Sequence, residues 1–148
     1  MFDHILVVCT GNVCRSPVGE ALLKRLCPAK RVESAGLGAL VGRGVDPHAS
    51  RLGEADGLEL GAHRARQVTP EMLQDADLIL VMSEGQRRAI GELSPAAMGK
   101  TMLYGRWLEG EQRRGMEIPD PYRKSPEVFA HVHQLLTQAA VAWAQKLR

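Results

Sequence analysis

The sequence has little of what marks a secreted, membrane-bound or nucleic-acid-binding protein. Three cysteines among 148 residues are few, and their odd number does not suit a disulfide framework, so we expect reduced thiols and a cytoplasmic protein. No apolar run approaches the length of a membrane span, and we expect neither membrane insertion nor a signal peptide. A net charge of +2 is too small to indicate nucleic-acid binding.

Repeats, linkers and low-complexity segments are also missing. We therefore expect residues 1–148 to form one domain, for which 45% hydrophobic residues supply a single core. The glycine-rich stretch 36–44 has one residue too many between its glycines for a dinucleotide fingerprint, and no group of histidines, cysteines and acids has metal-ligand spacing. We expect no cofactor and no metal.

Apolar runs alternate along the chain with segments of helical periodicity. The predicted strands are 4–8, 32–35, 77–82 and 100–104, and the predicted helices are 17–27, 47 to about 57, a short one from 70, one after Ser83, and 126–147. The stretches 36–44 and 105–122 are predicted loops. This alternation predicts an α/β fold with a flavodoxin-like, four-stranded parallel sheet in the order 2-1-3-4 and helices on both faces.

Polar residues followed by proline stand at four predicted helix starts. These pairs are Ser16-Pro17, Asp46-Pro47, Thr69-Pro70 and Ser125-Pro126. Each predicts a side-chain N-cap with proline in the first turn. Ser83 and Gln86 have the spacing of a capping box, in which each residue caps the other's backbone N–H.

The stretch between the first strand and the first helix has the residues of an anion site. Five residues separate Cys9 from Arg15, and we call this segment, residues 10–14, the anion loop. Its successive backbone N–H groups can surround a tetrahedral anion, while Gly11 and Asn12 tolerate left-handed backbone geometry. Arg15 adds a planar fork of donors that matches two phosphate oxygens. The predicted phosphate-binding residues are Thr10, Gly11, Asn12, Val13, Cys14 and Ser16.

Cys9 ends the first strand at this loop. A helix N-terminus and an adjacent cation both favour a thiolate, so we expect Cys9 to attack phosphorus and form a cysteinyl-phosphate intermediate without a metal. The alternative is a buried cysteine that only packs at the end of a strand. Cys14 lies in the same loop, and we expect it to trap oxidised Cys9 as a disulfide, unless it only packs under the loop.

The Cys-x5-Arg-Ser loop, together with Asp120-Pro121-Tyr122, resembles the low-molecular-weight protein tyrosine phosphatases over essentially the whole chain. The segments 32–40, 65–67 and 118–125 look most like the bacterial branch that serves exopolysaccharide and capsule operons. The resemblance implies a phosphotyrosine protein phosphatase I-like fold. It also implies a tyrosine-phosphorylated partner, specifically a bacterial tyrosine autokinase. We expect a monomer.

The same resemblance assigns further residues. Asp120 is implied as the general acid, and Tyr122 and Leu40 as the substrate rim. Ser34 and His63 are implied, with Asn12 and Ser16, to hold the loop in its curled state. Many family members have an acidic residue where this chain has Ser83.

Two other functions fit parts of this pattern. A thioredoxin-coupled arsenate reductase resembles the same fold and loop, but it needs two further cysteines after the third strand, where residues 83–93 have none. An inert phosphate-binding module is the other alternative. Such modules usually lose the nucleophile or the acid, and both are present here.

Overall fold

The structure is a computed structural model that describes residues 2–108 and 115–148. Four strands form one parallel sheet in the order β2-β1-β3-β4, which confirms the predicted order. The strands are β1 (His4–Cys9), β2 (Arg31–Gly36), β3 (Leu78–Val81) and β4 (Thr101–Leu103). Because β1 lies between β2 and β3, its carboxyl end opens at the switch point where such sheets bind ligands.

Within the described ranges, five α-helices connect and cover the strands. They are α1 (Arg15–Leu26), α2 (Pro47–Ala55), α3 (Pro70–Asp75), α4 (Glu84–Leu93) and α5 (Pro126–Leu147). A 3-10 turn at Pro95–Lys100, which was not predicted, leads into β4. The part of the predicted loop 105–122 that covers residues 109–114 lies outside the described residues.

Three of the four predicted N-caps are confirmed. Asp46, Thr69 and Ser125 each accept a hydrogen bond from a backbone N–H in the first turn of the helix that follows. The prediction for Ser16 is wrong, because α1 begins at Arg15, two residues before the predicted start, and its N-cap residue Cys14 makes no side-chain cap. The Ser16 hydroxyl instead faces the Cys9 thiol.

The sheet is buried on both faces, because alternate residues of β1 belong to two different cores. Ile5, Val7 and Cys9 pack with α1, α2 and α5, whereas Leu6 and Val8 pack with α3 and α4. Parallel strands that are covered on both faces have continuous apolar sequences, as β1 and β3 do. Within residues 2–108 and 115–148, no helix combines the length and apolarity needed to cross a membrane.

Candidate active site

Cys9 is the last residue of β1, and the anion loop turns from it directly into α1. Asn12, in the middle of the loop, has φ of 58°, a left-handed conformation that glycine and asparagine adopt more readily than other residues. The loop also needs Gly36 at the end of β2, because a Cβ atom there would lie 2.6 Å from the Thr10 carbonyl oxygen. The tight curl therefore depends on a neighbouring strand as well as on the loop itself.

The Asn12 side chain is fully buried and uses both ends of its amide. Its Oδ1 accepts from the backbone N–H of Arg66 at 3.0 Å, and its Nδ2 donates to Ser16 Oγ at 2.7 Å and to Ser34 Oγ at 3.1 Å. The His63 ring donates from Nε2 to the Asn12 carbonyl oxygen at 2.7 Å. The structure thus brings together the four residues predicted to hold the loop.

The same network places the Ser16 hydroxyl against the Cys9 thiol. Ser16 Oγ accepts a hydrogen bond from Asn12 Nδ2 and lies 2.9 Å from Cys9 Sγ, to which its hydroxyl can donate. Ser34 Oγ likewise accepts from Asn12 and donates to Glu20 at 2.6 Å. Cys9 Sγ and Ser16 Oγ therefore form a buried hydrogen bond at the start of α1.

Two residues of this network were not found from the sequence. Glu20 on α1 accepts from Ser34, and Arg66 contributes its backbone N–H to Asn12. The Arg66 side chain is held by Glu33, to which it donates at 2.5 Å, and by the Ser34 carbonyl oxygen at 2.9 Å. Burial opposes ionisation of Glu33, but the bond from Arg66 and the nearby cations outweigh it, so the pKa of Glu33 falls below its ordinary value.

Arg15 is buried and contacts the opposite side of the site. Its Nη1 donates to the Ile118 carbonyl oxygen at 2.9 Å, and its Nη2 lies 3.6 Å from Asp120 Oδ2. The Nε atom is buried and has no hydrogen-bond partner within the described residues. A buried guanidinium N–H without a partner is costly, so Nε is available for an oxygen of a bound anion.

Asp120 and Tyr122 stand at the mouth of the site. Asp120 Oδ1 accepts from the Tyr122 backbone N–H at 3.0 Å, which positions the carboxyl group in a tight turn. The next residue, Arg123, has φ of 61°, and its guanidinium carbon lies 5.3 Å from the Tyr122 ring centroid. A cation at that distance from an aromatic ring stabilises the ring's position.

The predicted catalytic and rim residues converge on one pocket of about 140 Å³. The anion loop forms its floor, and its walls come from distant parts of the chain: Leu40, Asp120 and Tyr122. Within the described part of the chain, no three histidine, cysteine or acidic side chains gather as a metal would require.

Cys14 is buried on the same loop and also lines the pocket. Desolvation, followed by the nearby Asp46 carboxylate, raises the pKa of the Cys14 thiol well above its ordinary value. Cys14 is therefore a neutral thiol at physiological pH. It does not compete with Cys9 as a nucleophile.

Gln86 on α4 contacts the anion loop, although the sequence indicated only a capping role. Ser83 Oγ accepts from the Gln86 N–H at 3.2 Å, as the capping box predicts. The reciprocal half of that prediction is wrong, because Gln86 Oε1 accepts from Met82 N–H rather than from Ser83 N–H. Gln86 Nε2 then lies 3.2 Å from Thr10 Oγ1.

Comparison with known proteins agrees with this geometry. Residues 4–148 match the family model described as low molecular weight phosphotyrosine protein phosphatase. The low molecular weight protein-tyrosine-phosphatase Wzb of Escherichia coli (strain K12) is 50% identical over 147 residues, which cover 99% of this chain and 97% of that protein. The crystal structure of the tyrosine phosphatase Wzb from Escherichia coli K30 in complex with sulphate is similar with a TM-score of 0.94 and 51% identity, covering 100% of both chains.

A more distant solved structure has a different substrate in its name. The YwlE arginine phosphatase from Geobacillus stearothermophilus is similar with a TM-score of 0.88 and 34% identity, over 97% of this chain and 92% of that one. The fold is therefore shared by phosphatases of more than one specificity. The family match extends over nearly the whole sequence, and this chain belongs to the low molecular weight phosphotyrosine protein phosphatase family.

Proposed function

We propose that this protein-tyrosine phosphatase acts in the cytoplasm on a bacterial tyrosine autokinase that controls exopolysaccharide or capsule production. The observation that carries the proposal is the pairing of Cys9 Sγ with the Ser16 hydroxyl beside Arg15 Nε, which has no partner in the part of the chain that the structure describes. Together they provide an activated nucleophile next to an anion site. The sulphate in the Wzb complex is a tetrahedral dianion, and phosphate has the same shape.

The first chemical step would transfer the phosphoryl group to Cys9. Cys9 Sγ attacks phosphorus, the bond from phosphorus to the tyrosine oxygen breaks, and Asp120 gives its proton to the departing oxygen. Arg15 Nε and Nη2, with the N–H groups of the anion loop, would hold the equatorial oxygens of the transition state. The Asp120 carboxyl lies 3.6 Å from Arg15 and lines the same pocket as Cys9, which supports its role as the acid.

The second step would release inorganic phosphate. A water molecule attacks phosphorus, Asp120 accepts its proton, and the bond between Cys9 sulfur and phosphorus breaks. The Ser16 hydroxyl, which Asn12 holds beside the sulfur, would donate a hydrogen bond to the departing thiolate.

Substrate class is tested first, because an arginine phosphatase shares the fold. The purified enzyme is offered matched peptides that carry phosphotyrosine, phosphoserine or phosphoarginine, in EDTA, with Cys9→Ser as the control. We expect release of phosphate from the phosphotyrosine peptide and none with Cys9→Ser. Preferential release from phosphoarginine, or turnover by Cys9→Ser, would overturn the proposal.

The partner is tested separately. A tyrosine autokinase gene adjacent to this one, together with glycosyltransferase genes, would supply the candidate substrate. We expect the enzyme to remove phosphotyrosine from the autophosphorylated kinase, as measured by anti-phosphotyrosine blotting. Dephosphorylation of the peptide but not of the kinase would exclude this partner and leave the enzymatic activity standing.

A further inference from the structure

A second, open groove adjoins the catalytic pocket and runs along the first turns of α4. The groove has a volume of about 680 Å³, compared with about 140 Å³ for the pocket, and it shares Thr10, Arg15 and Asp120 with it. Pockets that enclose a drug-sized ligand measure roughly 300–1,000 Å³. The catalytic pocket therefore has room for little more than a phosphorylated side chain, and the remainder of a protein substrate must lie outside it.

Gln86 lies on the wall of this groove with a fixed amide orientation. Its side chain is almost fully buried, and Oε1 accepts from the Met82 backbone N–H at 2.7 Å. Since only the carbonyl oxygen of an amide can accept a hydrogen bond, Nε2 must face the other way. There it donates to Thr10 Oγ1 at 3.2 Å.

The orientation of Gln86 determines the role of the Thr10 hydroxyl. Thr10 Oγ1 accepts from Gln86, so its own proton is directed elsewhere, and it has no other partner within the described residues. The Thr10 residue is exposed and lines both the pocket and the groove. Thr10 thus presents an oriented hydrogen-bond donor where the two cavities meet.

The chemistry of the groove favours an uncharged, extended ligand. Arg15 is the one cation among the described residues that line it, and Arg15 is shared with the catalytic pocket, so the groove is not a second anion site. The Glu117 carboxylate already accepts from the Glu84 N–H at 2.8 Å. Apolar walls come from Leu37 and Ala89.

We propose that this groove holds the polypeptide segment next to the phosphotyrosine, and that Thr10, oriented by Gln86, donates a hydrogen bond to a main-chain carbonyl of that segment. The inference rests on the proposed function, because it assumes a phosphorylated protein in the catalytic pocket. Thr10 is then a specificity residue, and Gln86 is a positioning residue that acts through it.

The test compares two substrates of different size. The quantity measured is the ratio of kcat/KM for a phosphotyrosine peptide to kcat/KM for para-nitrophenyl phosphate, which has no polypeptide. Thr10→Val keeps the shape but removes the hydroxyl, and we expect the ratio to fall roughly 2–10-fold, as for one neutral hydrogen bond. Thr10→Ser restores the hydroxyl and should restore the ratio. An unchanged ratio in Thr10→Val, including an equal loss on both substrates, would overturn the proposal.

Gln86→Glu tests the positioning step. The new carboxylate still accepts from Met82, but it also accepts from Thr10, so the Thr10 proton turns away from the substrate. We expect the ratio to fall in the wild-type background and not to fall further in Thr10→Val. An equal fall in both backgrounds would indicate a general charge effect and would refute the role of Gln86. Unfolding midpoints of each variant show that the folded enzyme is compared.

Ala89 tests the groove independently of the hydrogen bond. Ala89→Leu fills the groove and should lower the ratio, whereas Ala89→Ser leaves the space open and should not. A ratio that is the same in both variants would show that the peptide does not use the groove.

Failure of the proposed function is distinguishable from failure of this inference, because the wild type itself would then not hydrolyse the phosphotyrosine peptide. In that case the same ratios are measured with a phosphoarginine peptide.

Discussion

Replacing Asn12 with alanine should destabilise the protein by roughly 4 kcal/mol. The buried side chain makes three hydrogen bonds, and a net value of about 1 kcal/mol for each gives about 3 kcal/mol. Alanine must also adopt the φ of 58°, at a further cost of about 1 kcal/mol. A loss of this size is a large share of the 5–15 kcal/mol that typically stabilises a domain.

The glycine variant at the same position separates the two contributions. Asn12→Gly loses the same three hydrogen bonds but accepts positive φ, so it should be about 1 kcal/mol more stable than Asn12→Ala. The greater entropy of glycine in the unfolded state makes this difference somewhat smaller. Urea denaturation gives the free energy of unfolding of all three proteins. The reasoning is refuted if both variants lose less than 1 kcal/mol, or if alanine is the more stable of the two.

Four further outcomes are expected. Arg15→Lys should lower kcat/KM for para-nitrophenyl phosphate by roughly 10²–10³-fold, because the point charge of lysine cannot replace the planar guanidinium and its several donors. Near-normal kinetics would contradict this prediction. Asp120→Asn should slow cleavage of aryl phosphates by roughly 10²–10³-fold, with the smallest effect on substrates that have good leaving groups. The mutation should also flatten the alkaline limb of the pH profile of kcat, and an unchanged limb would mean that another group is the acid. The backbone N–H groups of His4 and Asp3 hold the pKa of Asp77 below its ordinary value of 3.8. The stability lost in Asp77→Ala should therefore be full above that value and should shrink as the pH falls through the lowered pKa. A constant difference in urea midpoints would exclude this source. Mild peroxide should inactivate the enzyme by oxidising Cys9 to a sulfenic acid, which Cys14 then converts to a Cys9–Cys14 disulfide with loss of water. Because burial raises the pKa of Cys14, the disulfide should form faster as the pH rises, and Cys14→Ser should not recover with dithiothreitol. Peptide mapping that finds Cys9 as sulfinic acid beside a free Cys14 thiol would refute this prediction.

The features that residue patterns alone predicted well depend on neighbours along the chain, whereas Ser34, His63 and Asp120, far from the anion loop in sequence, were implied by the family resemblance. Apolar alternation and continuous runs indicate strands and their burial, and alternating strands with helices leave few sheet topologies. The spacing from Cys9 to Arg15 is also local, and it places the anion loop at the end of β1. Both the sheet order and the family therefore followed from short-range patterns.

The features that were missed depend on partners far along the chain. The hydrogen bond from Gln86 to Thr10 joins residues 76 positions apart in the sequence, and the one from the Arg66 N–H to Asn12 joins residues 54 positions apart. Ser16 shows the same limit within a local motif, because a buried thiol and an amide compete for the hydroxyl that a helix cap would use. Propensity rules describe the helix end in isolation and do not include such competitors.

The hydrogen bond from Arg15 to the Ile118 carbonyl has a consequence for synthesis of the protein. The two residues are 103 positions apart, so the ribosome releases the nucleophile and its arginine long before the segment that holds that arginine. Contacts between residues so far apart in the sequence form late in folding, because the intervening chain must be ordered first. A nascent or partly folded chain thus contains Cys9 without Asp120 or a fixed Arg15. Completion of folding would then switch on turnover, because only the folded chain brings Cys9, Arg15 and Asp120 to one pocket.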